Sequence, residues 1–165
     1  MAEIPITRTR SISWSAAIWS GLIAGVAFLM LEMIMVPAFL GKSMWGPPRM
    51  IGAIVLGKGV LPPPATFDAG VVITALAVHL IFSIIFMLIL AWIIYRMDFG
   101  AALGIGALFG LALYFINFYL LTGIFPWFAM ARSWVSLFTH TVFGLVGAWA
   151  YMGLTNRATR QVVAT

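Results

Sequence analysis

The sequence predicts an all-α integral membrane protein: a single membrane domain, residues 1–165, folded as an up-down bundle of four transmembrane helices. Hydrophobic residues make up 64% of the chain and charged residues only 8%. A soluble domain is about half apolar and about a quarter charged, so most of this chain requires lipid as its solvent. Four apolar stretches are each close to the roughly 20 residues that a helix needs to cross about 30 Å of hydrocarbon.

These stretches are predicted as spans at residues 14–40, 70–95, 100–123 and 133–154. The first is far longer than the apolar region of about 7–15 residues in a cleavable signal peptide, so we expect it to remain as a membrane anchor. Asp98 and Gly100 lie between the second and third spans and predict a tight turn there. An even number of spans places the two ends of the bundle on one side of the membrane. We call the opposite side the outer side.

The long connection at residues 41–69 contains an apolar run, residues 50–56, between Pro47-Pro48 and Pro62-Pro63-Pro64. This run is too short to cross the bilayer. We expect an interfacial helix lying along the membrane surface, and the alternative is a lid folded over the mouth of the bundle.

Tryptophans are expected near both membrane surfaces, as is typical of interfacial aromatic belts. The side of the termini carries Trp14, Trp19, Trp92 and Trp149, and the outer side carries Trp45, Trp127 and Trp134. Because the flanks of the first span often set the orientation, Arg8 and Arg10 lead us to expect cytoplasmic termini.

Glycines recur at the spacing that lets helix backbones approach closely in lipid. The pairs are Gly21 and Gly25 in the first span, Gly100 and Gly104 with Gly106 and Gly110 in the third, and Gly144 and Gly147 in the fourth. We expect these glycines to pack helices within the bundle rather than to form a dedicated dimer face.

Three ionisable side chains fall inside the predicted spans, namely Glu32, His79 and His140, and Asn117 adds an amide. Such groups are costly in a bilayer and point to a function. At a rise of about 1.5 Å per residue, all four lie roughly 8–14 Å below the outer surface. We therefore predict that these four residues, called the polar layer here, meet in the outer half of the bundle.

The residue types of the polar layer leave four interpretations open. One is a hydrogen-bonded clamp between helices. Another is a metal site in which Glu32, His79 and His140 bind iron, copper or zinc, with Asn117 as a weak ligand or a hydrogen-bonding neighbour. A third is haem b with His79 and His140 as axial ligands. The fourth is a proton-relay or quinone site.

Several function classes find no support in the sequence. The chain has no cysteine, which excludes thiolate metal sites and disulfides. Its nine Lys and Arg residues suit contact with anionic lipid, but they form no basic patch with aromatic platforms, so we expect no nucleic-acid partner. Phosphate-binding, dinucleotide-binding and serine-nucleophile motifs are absent.

Two stretches carry a resemblance to known proteins. One contains Gly46-Pro47-Pro48-Arg49 and continues through Leu61-Pro62-Pro63-Pro64-Ala65-Thr66-Phe67-Asp68, and the other runs from Ile116-Asn117-Phe118-Tyr119 through Phe125-Pro126-Trp127 to Arg132. Together they resemble a group of short, uncharacterised four-span proteins of bacterial inner membranes. The resemblance implies a bacterial inner (plasma) membrane location, and it transfers no functional residue because no activity is established for that group.

The small size and the lack of a large extramembrane region favour an accessory or structural subunit of a larger membrane complex, such as a respiratory or redox assembly. Its expected partners are the lipid bilayer and either other membrane subunits or further copies of the chain. The alternative is a stand-alone membrane protein that binds a metal, haem b or a quinone for redox or transfer chemistry.

Overall fold

The computed structural model describes residues 11–163, with side chains described from residue 11 to residue 155. The described residues form five α-helices: α1 (Trp14–Leu40), α2 (Gly46–Leu56), α3 (Ala69–Ile94), α4 (Phe99–Phe115) and α5 (Trp134–Val163). Short 3-10 turns lie at Lys58–Val60 and Pro126–Ala131. A π-helical turn, Ile116–Leu120, and a 3-10 turn, Leu121–Gly123, extend α4. The described residues contain no strand, and the all-α prediction is confirmed.

In the part of the chain that the structure describes, four helical segments are long and apolar enough to cross a membrane: Trp14–Leu40, Ala69–Ile94, Phe99–Gly123 and Trp134–Thr155. They agree closely with the spans expected from the sequence, and the chain is a multi-pass membrane protein. The third span is not α-helical throughout, because its outer end is the π-helical turn. The sequence pattern did not predict this change.

Hydroxyl and carboxyl side chains determine where three of the spans begin. Ser13 Oγ accepts from the Ala16 amide at the start of α1. The carboxylates of Asp68 and Asp98 do the same at the starts of α3 and α4, with distances of 3.0 and 2.9 Å. Such caps satisfy amides that lack a partner within the helix. Glu32 is therefore the one acidic side chain among the described residues that does not cap a helix.

Helix α5 is the centre of the bundle, packed against α1 on one side and α4 on the other. Helix α1 in turn packs against α3. Although a tight turn joins α3 to α4, these two helices contact each other little. The amide of Ser13 donates to the Tyr151 hydroxyl at 3.3 Å, which places the start of α1 beside the inner part of α5. The result is the expected up-down bundle, with one open edge between α3 and α4.

Close helix contacts depend on glycine, as predicted. A Cβ added at Gly106 of α4 would lie 2.6 Å from the Gly144 carbonyl oxygen of α5, and one added at Gly21 of α1 would lie 2.8 Å from Ile84 Cα of α3. These distances are too short for any side chain, so the glycines pack within the bundle. The expectation is wrong for Gly104, where an added Cβ would meet no atom within 4 Å, and for Gly100, where it would meet only the capping Asp98 of its own helix.

The half of the bundle nearest the termini is a packed apolar core. Met87, Leu90 and Ile94 of α3 are each 1% exposed or less, and they pack with Ala17 of α1 and Tyr151 of α5. Tight packing of this kind leaves little empty space among these side chains.

The connection between α1 and α3 folds back as a lid. Helix α2 packs against α3, where a Cβ added at Gly52 would lie 3.0 Å from Val71 Cγ1. The Trp127 indole donates to the Met50 carbonyl at 3.0 Å and joins α2 to the turn before α5. Trp127 is consequently buried among protein side chains, and its place in an interfacial aromatic belt stays a prediction.

Candidate functional site: an intramembrane cavity

A cavity of about 540 Å³ occupies the outer half of the bundle. Helices α1, α3 and α5 and the π-helical turn form its walls, and α2 covers its outer end. It lies where α3 and α4 separate, since those two helices pack poorly against each other. Its volume is within the range of about 300–1,000 Å³ that small-molecule sites usually have.

Phenylalanine side chains dominate the walls of this cavity. They come from α1, α3, α5, the π-helical turn and the segment before α5, but not from α2: Phe28, Phe82, Phe86, Phe118, Phe125, Phe128 and Phe143. Such walls exclude water and offer flat apolar faces to a ligand. Lys42 and Ser43, both exposed, mark the mouth at the outer surface.

All four residues of the polar layer line this cavity. Glu32 comes from α1, His79 from α3, Asn117 from the π-helical turn and His140 from α5. The structure thus brings together the side chains that the sequence placed at one depth. Their roles as ligands of a metal or a cofactor stay predictions.

Glu32 is buried and is held by a single residue. Its Oε1 accepts a hydrogen bond of 2.5 Å from Thr139 Oγ1 of α5. Thr139 also lies 3.1 Å from the Ser136 carbonyl of its own helix. Because Thr139 has only one hydroxyl hydrogen, the carboxylate and the carbonyl share it.

His140 has its ring orientation set on both sides. Nδ1 lies 2.7 Å from the Ser136 carbonyl, which can only accept, so Nδ1 carries the hydrogen and donates it. In the neutral imidazole Nε2 is then the acceptor, and the Asn117 amide nitrogen donates to it at 3.2 Å. Asn117 is therefore a positioning residue for His140.

His79 is anchored to the backbone of α1. Its Nε2 lies 3.0 Å from the Gly25 carbonyl and donates to it, with Ser83 Oγ at 3.4 Å from the same nitrogen. The carbonyl is reachable because Gly25 has no side chain. This contact was not predictable from the sequence. Every residue has a backbone carbonyl, so residue identity does not show which one accepts a hydrogen bond from His79.

Phe28 separates the two histidines. Its ring stacks on His79 with a centroid distance of 5.3 Å and an interplanar angle of 25°, and it meets His140 edge-on at 4.8 Å. A haem ligated through both Nε2 atoms would require the displacement of this ring and the loss of both Nε2 hydrogen bonds. The residues present do not fit a bis-histidine haem.

The described residues also contain no preformed set of metal ligands. Among the described residues, no group of three or more His, Cys, Asp or Glu is placed to hold one. Glu32 and the two histidines line the same cavity but are each fixed by separate partners. The metal interpretation stays a prediction, and the observed hydrogen bonds are those of a clamp with open space beside it.

The π-helical turn carries Asn117, the amide of the polar layer. The sequence predicted Asn117 as part of the layer but did not predict the turn. Such turns are frequent at functional sites, because they free backbone groups and re-aim side chains. Here Arg132 Nε donates to the Phe118 carbonyl at 2.7 Å, and the guanidinium lies 4.3 Å from the centre of the Tyr119 ring. Arg132 therefore stabilises the turn that presents Asn117.

Comparison of the chain with protein-family models, curated protein sequences and solved structures returned no match. The resemblance to short four-span inner-membrane proteins, the orientation of the termini and the role of accessory subunit stay predictions.

Proposed function

We propose that this membrane protein binds a lipophilic small molecule of the quinone class in the outer half of its helix bundle. The observation that carries the proposal is the cavity of about 540 Å³, which has phenylalanine walls and contains all four residues of the polar layer. Quinones combine an apolar body with a polar ring, and the cavity offers matching surfaces for both parts. This is the stand-alone binding function that the sequence left open.

The shape of the protein supports binding rather than transport. The cavity extends from the outer side along α3 as far as Phe86, and Met87, Leu90 and Ile94 beyond it are packed in the apolar core. A molecule that enters is therefore held near one membrane face. Many alternating-access transporters contain an internal repeat that relates two halves of the chain. The sequence of this protein shows no such repeat.

The open edge between α3 and α4 supports entry from the lipid. Phe82 and Phe86 of α3 and Leu121 after α4 line the cavity without being fully buried. A lipophilic ligand already dissolved in the bilayer can approach through such an edge without crossing water. The mouth at Lys42 is the alternative route for a polar head group.

A pair of neighbouring residues on α2 allows a matched test. Ile54 lines the cavity, whereas Val55, the next residue, is 64% exposed and does not line it. We expect Ile54→Trp to fill the cavity and weaken the binding of a short-chain benzoquinone or its quinol at least about tenfold, a change of about 1.4 kcal/mol. Val55→Trp places the same side chain on the outside of α2 and should leave the affinity unchanged.

The measurement is titration calorimetry of the full chain in lipid nanodiscs, with thermal unfolding of both variants as a check on folding. Failure of the wild-type protein to bind either form of the ligand would overturn the proposal. So would equal affinities of the two tryptophan variants. If the chain instead co-purifies stoichiometrically with other membrane subunits and has no ligand affinity, the accessory-subunit prediction gains support.

A further inference from the structure

The cavity has two borders of opposite character, the mouth at the outer surface and the edge between α3 and α4. We infer that the site takes a quinone with a long hydrocarbon tail, which leaves the cavity through this edge and remains in the lipid. The inference rests on the proposed function and identifies the class of ligand. The edge is called the lipid window here, and the cavity residues on its two sides are Val78, Phe82 and Phe86 of α3 and Leu113, Asn117 and Leu121 of α4 and its extension.

The lipid window exists because the ring of four helices is not closed. Helix α3 packs against α1, α1 against α5 and α5 against α4, whereas α3 and α4 contact each other little. The turn at Asp98 joins their inner ends, and residues from the outer parts of both elements line the cavity. The cavity therefore lies next to the one side of the bundle that no helix covers in the described part of the chain.

Helix α3 presents a continuous apolar stripe to the lipid window. Its opposite side is occupied by α1, since a Cβ added at Gly21 would lie 3.0 Å from the Ser83 carbonyl oxygen. Val78, Phe82 and Phe86 recur every four residues and so share one face of the helix. The rings of Phe82 and Phe86 stack with a centroid distance of 6.0 Å and an interplanar angle of 26°. This surface suits a hydrocarbon tail that lies along the helix.

The exposure of Phe82 shows that this side chain reaches the outside of the bundle. Phe82 lines the cavity and is 43% exposed. Phe28, Phe118 and Phe143 line the same cavity but are at most 9% exposed. A ring that faces only the cavity is thus accessible to a small extent, so most of the accessible surface of Phe82 lies on the lipid side. Phe82 connects the cavity with the hydrocarbon of the membrane.

The mouth is unsuited to a hydrocarbon tail. Lys42 Nζ donates to the Met130 carbonyl at 3.4 Å, and Ser43 Oγ donates to the Ala65 carbonyl at 2.5 Å. A tail that left here would pass the Lys42 ammonium group and enter water, at a cost of about 0.8 kcal/mol for each methylene. A tail in the lipid window stays in an apolar environment throughout.

The volume of the cavity also separates ring from tail. About 540 Å³ accommodates a molecule of drug size, such as a substituted quinone ring beside the polar layer. A tail long enough to anchor a quinone in the bilayer exceeds this space. Most of such a tail must therefore lie outside the cavity, and the lipid window is the border at which it remains in hydrocarbon.

Photochemical cross-linking locates the tail directly. The probe is a benzoquinone whose decyl tail carries a diazirine, bound to the full chain in lipid nanodiscs, and mass spectrometry identifies the labelled residues. Labelling that excess unlabelled decyl-benzoquinone suppresses marks the bound ligand. We expect it on α3 around Phe82 and on the extension of α4 around Leu121. Suppressible labelling confined to the mouth, at Lys42, Ser43 or Met130, would overturn the inference.

Two residues of α3 with equal exposure provide a matched test. Phe82 and Ile85 are both 43% exposed, but only Phe82 lines the cavity. We expect Phe82→Ala to weaken the binding of decyl-benzoquinone about tenfold and that of the tailless ring less than about twofold. Ile85→Ala should change neither affinity. Titration calorimetry in nanodiscs measures both ligands, and comparing each ligand with itself across variants cancels its partition into the lipid.

The outcomes separate the two proposals. If the wild-type protein binds neither ligand, the proposed function fails. If it binds both and Phe82→Ala weakens them equally, or weakens neither, the site is real but the tail does not use the lipid window. Cross-linking of the wild-type protein decides the same question if Phe82→Ala does not fold.

Discussion

Glu32 of α1 accepts a hydrogen bond of 2.5 Å from Thr139 of α5, across 107 positions of the chain. Both side chains are buried, and Thr139 is completely inaccessible. In the hydrocarbon region a polar group cannot turn to water when its partner is lost, so such a bond holds both groups in place. It also orients the carboxyl group, with Oε1 held by Thr139 and Oε2 without a hydrogen-bond partner among the described residues.

Thr139→Val is expected to destabilise the protein because it removes the hydroxyl and keeps the shape. The loss leaves Glu32 Oε1 unpaired, which typically costs about 1–3 kcal/mol. Thermal unfolding in detergent measures the change. Thr141→Val is the control, because the Thr141 hydroxyl donates only to the Leu137 carbonyl of its own helix, and we expect an effect within about 0.5 kcal/mol. If both variants lost the same free energy of unfolding, the hydrogen bond from Thr139 to Glu32 would make no stabilising contribution of its own.

Gly110→Ala and Gly104→Ala form a matched pair on α4. A Cβ at Gly110 would collide with the His140 carbonyl oxygen, whereas one at Gly104 would meet no atom within 4 Å. We expect the first change to cost about 1–3 kcal/mol or more through overpacking. The second should be neutral or stabilising by up to about 1 kcal/mol, because alanine favours helix. Thermal unfolding in detergent decides, and a stable Gly110→Ala protein would refute the described α4–α5 contact.

Asn117→Leu removes the donor to His140 Nε2 and keeps the branched side-chain shape with the same number of heavy atoms. We expect a loss of about 1–3 kcal/mol, since the nitrogen becomes an unpaired buried acceptor. The hydrogen on Nδ1 should remain, because the Ser136 carbonyl still accepts it. Nitrogen-15 NMR of the labelled imidazole reports both nitrogens separately. Leu120→Ala, at a 72% exposed position of the same turn, is the control that should leave the imidazole signals unchanged. A variant of Asn117 with an unaltered Nε2 signal would contradict the observed pairing.

The depth of the polar layer was predictable because helix geometry converts residue number into height. Glu32, His79, Asn117 and His140 were placed at one level by counting from the outer ends of their spans, and all four line one cavity. Their partners were not predictable. The spans are apolar all round, so their sequences scarcely indicate which face turns inward, and the facing of Thr139 toward Glu32 depends on how α5 packs.

Composition and span length were enough to predict lipid as the solvent and a scaffold of four helices, because four apolar stretches match the bilayer in length. The thickness of the hydrocarbon imposes that outcome on any chain of this composition. Tertiary structure alone decided that α3 and α4 separate, that Phe28 lies between the histidines, and that α2 closes over the space. These features arise from packing between side chains far apart in the chain, which residue spacing along one helix does not encode.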